Sequence, residues 1–223
     1  IVGETSLDAQ ADVLLAEILG HWASSEGYCE VLRASGIRCA DTVPRYFGTC
    51  IVPVDLSLAR RLVPTMVGSK LCLFRAFPFA DTALAAPQDM ESYSGLDILH
   101  QGTNTSAVRT KLEFDIQRAG TFHGLSTYLF YCQNGDRSDM RTSIASADNP
   151  ATNWNHCFLP FGPLEVTPEH TVELECICDV FHREPRYEFH VSVSFRSQSL
   201  LEEVLAIDYK DMYTLLVRVK DCE

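Results

Sequence analysis

The sequence predicts an α/β segment followed by an antiparallel β-barrel or sandwich, on three observations. Near its start, Val13-Leu14-Leu15 stands between Asp12 and Glu17. This run is too apolar to alternate and too short to span a membrane, so it reads as a strand buried on both faces of a parallel sheet. From Thr110 onward, apolar and polar residues alternate repeatedly, as in half-buried strands. Finally, 223 residues at 46% hydrophobic and 22% charged can bury a sizeable core in one or two domains, in the manner of an ordinary globular protein.

Ile1 to Gln10 leads into the first strand, with Glu4 and Asp8 lacking clear periodicity. Glu17 stands at the carboxyl end of that strand, where open α/β sheets bind ligands. Glu26 follows nine residues later, beyond Gly20 and Ser24-Ser25. In one straight helix the two carboxylates would lie about 13 Å apart in rise and on opposite faces. They converge only if the chain turns, and Gly20 with Ser24-Ser25-Glu26-Gly27 supplies the means. Two convergent carboxylates suit the planar fork of N–H donors of a guanidinium. On spacing alone the plainer reading stays open, with Glu17 capping a helix and Glu26 solvated. Glu30, a third carboxylate nearby, reads as a surface or salt-bridge residue.

Tyr28 to Ser35 predicts a short helix ended by Gly36, and Tyr46 to Val54 a strand bordered by Pro44 and Pro53. Leu56 to Val67 could form a short helix closed by Pro64 and Gly68, and Leu71 to Phe79 is apolar and aromatic. Ala80 to Val108, polar and broken by Pro87, Gly95 and Gly102, reads as a long loop. Leu112, Phe114 and Ile116 then alternate with charged residues, and Phe122 to Cys132 is a long aromatic strand turning at Asn134-Gly135. Met140 to Ala145 returns. Val172 to Cys178, Tyr187 to Phe195 and Tyr213 to Val219 are further alternating strands.

Glu17-Ile18-Leu19-Gly20 followed by Glu26 resembles the double-glutamate loop of the protein arginine methyltransferases. Leu19-Gly20 with Trp22 is most similar to the symmetric-dimethylating (type II) branch. Phe122-His123-Gly124-Leu125 with Tyr128-Leu129 resembles the His-Gly-Phe stretch opening a barrel strand there, and Asn153-Trp154 falls where the family has a Thr-His-Trp or Ser-Trp element. Asymmetric enzymes usually have His before the Trp and symmetric ones Ser; Asn153 matches neither. The resemblance implies the end of a Rossmann-like methyltransferase domain (residues 1–50, with the double-glutamate loop) followed by an antiparallel β-barrel domain for substrate and dimerisation (residues 51–223). It implies catalytic Glu17 and Glu26, substrate-lining Asn153 and Trp154, S-adenosyl-L-methionine as cofactor, and Arg- and Gly-rich protein substrates. It also places a subunit contact in the 80–108 region, hence a homo-oligomer or a partner subunit.

The net charge of -12 argues against nucleic acid, whose phosphates need Lys and Arg clusters, and favours a basic partner, although the charge could simply keep the protein in solution. Nine scattered cysteines, Cys29, Cys39, Cys50, Cys72, Cys132, Cys157, Cys176, Cys178 and Cys222, are odd in number and read as free core thiols in a reducing compartment. Cys176-x-Cys178 with His182 lacks a fourth ligand at a usual spacing, so no metal site is expected. No signal peptide and no run of 18 apolar residues occurs, which predicts a cytoplasmic or nuclear protein with no membrane contact. There is no Gly-x-Ser-x-Gly motif for hydrolase chemistry.

Among the twelve glycines there is no Gly-x-Gly pair, so the glycine-rich cofactor turn is missing, and the sequence begins with Ile1. The expectation is therefore the carboxyl-terminal part of a longer methyltransferase, with cofactor-binding residues upstream of Ile1 and these 223 residues inactive alone. The alternatives are a catalytically inactive, methyltransferase-like regulatory subunit and a β-rich protein-binding module.

Overall fold

The structure is a computed structural model describing residues 10–16, 18–58, 66–67, 70–74, 79–101, 107–134, 137–144, 154–208 and 211. Strands β1 (Gln10–Leu15) and β2 (Arg38–Val43) pair in parallel, from Gln10 opposite Arg38 to Leu15 opposite Val43. Parallel neighbours need a crossover, and the chain between them supplies it, with α1 (Tyr28–Ala34) in its second half. The carboxylate loop thus follows the carboxyl end of β1, as expected. The burial expected of β1 is not observed, since Val13 is 51% and Leu15 76% exposed. Two faces of a strand are covered only when the sheet has further strands and layers, and among the described residues β2 is its only strand neighbour.

The antiparallel part begins at β3 (Tyr46–Val54) and continues through β4 (Met66–Val67), β5 (Cys72–Phe74), α2 (Phe79–Thr82), β6 (Gln88–Ser94), α3 (Gly95–Gln101), β7 (Val108–Asp115) and β8 (Gly120–Cys132). It ends with β9 (Arg141–Thr142), β10 (His156–Val166), β11 (His170–Asp179), β12 (Arg186–Phe195) and β13 (Gln198–Asp208). One sheet runs β4-β5-β10-β8-β3-β6, with β9 beside β8, and the other β13-β12-β11-β7. They approach each other where Gln88 of β6 donates to the Glu113 carbonyl of β7 at 2.5 Å and Gln117 N–H donates to the Leu84 carbonyl at 2.8 Å. Both sheets feed one apolar core: Phe47, Phe122, Leu125, Leu129 and Leu159 from the larger, and Phe114, Val172, Leu174, Phe189 and Val191 from the smaller. Alternation produces this directly, because every second residue of β11 and β12 points inward. The architecture is barrel-like and antiparallel behind a parallel pair.

The 80–108 region is not the long loop expected. It contains β6 and α3. Polar composition hid β6, which places Met90, Glu91 and Tyr93 in the interior. Its strand partner, β3, ends more than 30 residues upstream, out of range of local pattern. Of the helix expected at 56–67, the described residues hold a 3-10 turn at Leu56–Leu58 and β4; the rest, Gly135 and the strand expected at 213–219 lie outside the described residues. β10 and β13 were not anticipated. β10 carries Pro160, Gly162 and Pro163, and its register shifts between Pro160 and Leu164, which breaks the period-2 pattern. β13 is an edge strand, mostly exposed, whose register against β12 shifts at Val193/Ser194.

At Gly124 the backbones of β8 and β10 leave no room for a side chain. Its φ is +149°, and a Cβ there would sit 2.1 Å from the Leu159 carbonyl oxygen. Gly124→Ala should therefore separate the two strands and lower the unfolding free energy by roughly 3 kcal/mol, read from urea denaturation; an unchanged midpoint would contradict the packing described.

Candidate functional site

After β1 the chain folds into a compact loop. Ser25 N–H donates to the Trp22 carbonyl and Gly27 N–H to the Ser24 carbonyl, both at 3.0 Å, and the Ser25 hydroxyl donates to the Trp22 carbonyl at 2.9 Å. A Cβ on Gly20 would lie 2.0 Å from Ser25 Oγ and 3.0 Å from Glu26 Cγ. Residues 25 and 26 therefore fold back over residue 20, and glycine is required because nothing larger fits beneath them. Gly27 then takes a left-handed φ of 79° and releases the chain into α1. The turn postulated between the two carboxylates exists. Glu26 is exposed on it, whereas Glu17 lies outside the described residues.

Trp22 locks this loop between the two sheets. Its ring is fully buried, 4.5 Å from Tyr187 and 5.5 Å from Phe189 of β12, both edge-on. Its Nε1–H donates to Thr127 Oγ1 of β8 at 2.8 Å. The loop backbone is served by β3 and β6: Ala23 N–H donates to Thr49 Oγ1 at 2.9 Å and Ser24 N–H to Glu91 Oε1 at 3.3 Å. Glu91 also accepts from the Thr49 hydroxyl at 2.7 Å, the Tyr93 hydroxyl at 2.9 Å and the Ser24 hydroxyl. Sequence reasoning missed Glu91 entirely. Its only signal was a carboxylate two residues before a tyrosine in a stretch that looked like loop.

Trp154 meets the same loop from the other side. Its Nε1–H donates to the Leu19 carbonyl at 2.7 Å, and its ring centroid is 6.1 Å from that of Tyr131. Asn155 N–H donates to His21 Nδ1 at 3.2 Å. The residues around Trp154 and those around Glu26, 128 positions apart in sequence, are thus joined by two hydrogen bonds; Asn153 lies outside the described residues. Because Nδ1 accepts, His21 is neutral and carries its proton on Nε2, which has no hydrogen-bond partner among the described residues. Burial lowers the His21 pKa to about 4. His156, at the start of β10, is also lowered to about 4, chiefly by burial and further by His21, against opposing backbone hydrogen bonds.

Other candidates fall to structural roles. Glu30 is paired with Arg33 at 2.6 Å. His123 Nδ1 accepts from Leu56 N–H at 3.2 Å and lies 3.5 Å from the buried Asp55 carboxylate, bracing the start of β8. Cys176 and Cys178 project to the same side of β11 with sulfurs 3.4 Å apart and are buried. Burial pushes the Cys157 and Cys29 thiols up, so they are inert core groups. Eight cysteines are free, and no cluster of three metal-ligating side chains occurs among the described residues.

No protein-family model and no curated protein sequence matches the chain. Among solved structures, it is similar to Arabidopsis thaliana protein arginine methyltransferase 10 in an open conformation, with a TM-score of 0.68 and 10% identity over 92% of this chain and 72% of that one. It is also similar to the Trypanosoma brucei PRMT1 enzyme-prozyme heterotetrameric complex with AdoHcy, with a TM-score of 0.60 and 12% identity over 90% of this chain and 70% of that one. At such identities the likeness establishes the fold.

Two outcomes follow from the loop geometry. Gly20→Ala should push Ser25 and Glu26 outward, costing about 1–3 kcal/mol of stability and speeding amide exchange at residues 23–27 while exchange in β8 stays slow. For the histidines, folded-state pKa values below 6.5 mean that stability is complete above pH 6.5 and lost as pH falls toward 4. Each contributes up to about 3 kcal/mol to that loss. Between pH 7 and pH 4.5, His21→Gln should lose about 2 kcal/mol less than the parent protein in urea titrations.

Proposed function

We propose that this chain is part of a protein arginine N-methyltransferase, acting on the guanidinium of protein arginines in Arg- and Gly-rich segments, with symmetric (type II) dimethylation as the product. The observation that carries the reading is the junction of the Gly20–Gly27 loop with Trp154. A fold-back turn bearing Glu26 at the end of a parallel strand is tied by Trp154 Nε1–H to the Leu19 carbonyl. This turn supports the double-glutamate resemblance, and both similar structures named above are of arginine methyltransferases. On this reading Glu17 and Glu26 grip the guanidinium through paired N–H···O contacts and hold its charge. They leave one terminal nitrogen aimed for methylation, while Asn153 and Trp154 line the floor beside it. Substrate lies between the parallel unit, counted to residue 50, and the barrel-like unit after it; β3 runs through that division.

S-adenosyl-L-methionine is the methyl donor on this reading. The residues present do not fit it, because no Gly-x-Gly turn occurs in the sequence. Its site is assigned to α/β elements outside these 223 residues, which alone would be inactive. The exposed Val13 and Leu15 of β1 support further α/β elements packing there. The acidic balance of -12 supports a basic substrate. Assembly into an oligomer, or with a partner subunit, belongs to the same reading.

A second reading is a regulatory subunit that lends its barrel and loop to a catalytic partner. The missing glycine turn favours it, and one similar structure pairs an enzyme with a prozyme. In the natural full-length protein, Glu26→Gln should reduce kcat/KM for an Arg-Gly peptide by about 10²-fold or more, with symmetric dimethylarginine as the parent's product by mass spectrometry. Unchanged turnover in Glu17→Gln and Glu26→Gln would overturn the catalytic reading.

A further inference from the structure

Glu91 is a carboxylate at the centre of the molecule, 1% exposed. Every group around it is arranged to donate. Thr49 Oγ1 accepts the Ala23 N–H, so the proton of its own hydroxyl is free to go to Glu91 Oε1. Ser24 spends its single hydroxyl proton on Oε2, so the Tyr187 hydroxyl, 2.7 Å away, must be the donor in its contact with Ser24 Oγ. Tyr93 donates to Oε2 and Ser24 N–H to Oε1. Four direct hydrogen bonds, two per oxygen, converge on the group, and two of them are fed by a second donor behind. The phenols stay protonated: burial, reinforced by the Glu91 charge, pushes Tyr93 and Tyr187 well up. Burial also raises Glu91, against the donors from Ser24, Thr49 and Tyr93.

The partners divide in a telling way. Thr49 is on β3, Tyr93 and Glu91 on β6 and Tyr187 on β12, all in the barrel-like body. Ser24 belongs to the loop that carries Glu26. Both loop residues held here, Ala23 and Ser24, precede Glu26 by three and two positions. Their backbone N–H groups would otherwise be buried without these partners, which is unfavourable. Among the described residues, no lysine, arginine or histidine is among the groups that shift Glu91. The four hydrogen bonds to this carboxyl group all come from neutral donors, and those donors are what fixes the loop.

We infer that Glu91 is a positioning residue for Glu26: it anchors Ala23-Ser24 to the barrel wall, directly and through Thr49, and so fixes the height and direction of the substrate-facing carboxylate. This rests on the proposed methyl-transfer role of the loop, and it assigns a specific function to a side chain that never touches substrate. The two acceptor oxygens of Glu91, each taking two hydrogen bonds, set the arrangement rather than its volume. Glutamine matches its shape, but its amide would face the hydroxyl protons of Ser24 and Tyr93 or Thr49 with donors of its own.

The test has two arms. In Glu91→Gln, amide exchange at residues 23–27 should accelerate at least tenfold while β8 and β12 amides keep their protection; unchanged exchange at 23–27 would overturn the inference, and so would equal acceleration throughout the chain. Turnover of an Arg-Gly peptide is then measured in the natural full-length protein for Glu91→Gln, Glu26→Gln and the double variant. A positioning role predicts that Glu91→Gln lowers kcat/KM about 10-fold or more alone and adds nothing in the Glu26→Gln background. Multiplicative effects would mean a general structural role and would overturn it. If Glu26→Gln retains full turnover, the methyl-transfer reading falls and takes the catalytic part of this inference with it, whereas the exchange arm still decides whether Glu91 holds the loop.

Discussion

The burial of Trp22 between the two sheets is the constraint on which the rest depends. One side chain places an edge-on ring against Tyr187 and Phe189 of the smaller sheet and spends its indole N–H on Thr127 of the larger. The loop is therefore not draped over a finished barrel. It is part of the core, in one apolar cluster with Phe47, Leu125 and Phe189. A ring of this size cannot be withdrawn without opening a cavity costing several kcal/mol, so the sheets and the loop hold each other in place.

Burying an irregular loop is normally prohibitive, because its backbone donors lose water. Here strands supply the missing acceptors. Thr49 and Glu91 take the N–H groups of Ala23 and Ser24, and the Trp22 and Ser24 carbonyls are taken within the loop by Ser25 and Gly27. Trp154 closes the far side by capping the Leu19 carbonyl. The outcome is a rigid platform from which Glu26 emerges exposed, with rigidity and accessibility separated by one or two residues. Such a division suits recognition of a charged group, since an immobile carboxylate loses little entropy when it binds.

How far the sequence could be read follows from where each residue finds its partners. β11 and β12 were anticipated closely because period-2 alternation is local, and β3 at its observed bounds and β8 closely because a run between prolines and an aromatic run are local signals too. Gly20, Glu26 and Trp154 were legible as a loop and an aromatic contact by spacing and resemblance. That Leu19 and Trp154 are hydrogen-bonded, and that Asn155 reaches His21, depends on a return of the chain across 134 to 135 positions and has no local trace. Glu91 was invisible for the same reason. Gln88-Asp89-Met90-Glu91-Ser92 reads as solvent-facing loop until β3 pairs with it, and its partners Ser24 and Thr49 lie 67 and 42 positions away. The exposure of Val13 and Leu15 went the other way: an apolar strand signals burial, but burial needs neighbours that local sequence does not specify.

The chain contains two tryptophans, Trp22 and Trp154; the first belongs to the loop and the second is hydrogen-bonded to the Leu19 carbonyl at its start. Every photon of intrinsic indole emission from these residues therefore originates within one small region. The two indoles differ in surroundings, one sealed among aromatic rings and one half-buried at the loop margin, so their emission should separate by wavelength and by quencher access. Nature has placed an optical gauge at the candidate site and nowhere else in the sequence, and occupancy of that site can be followed in the unlabelled protein.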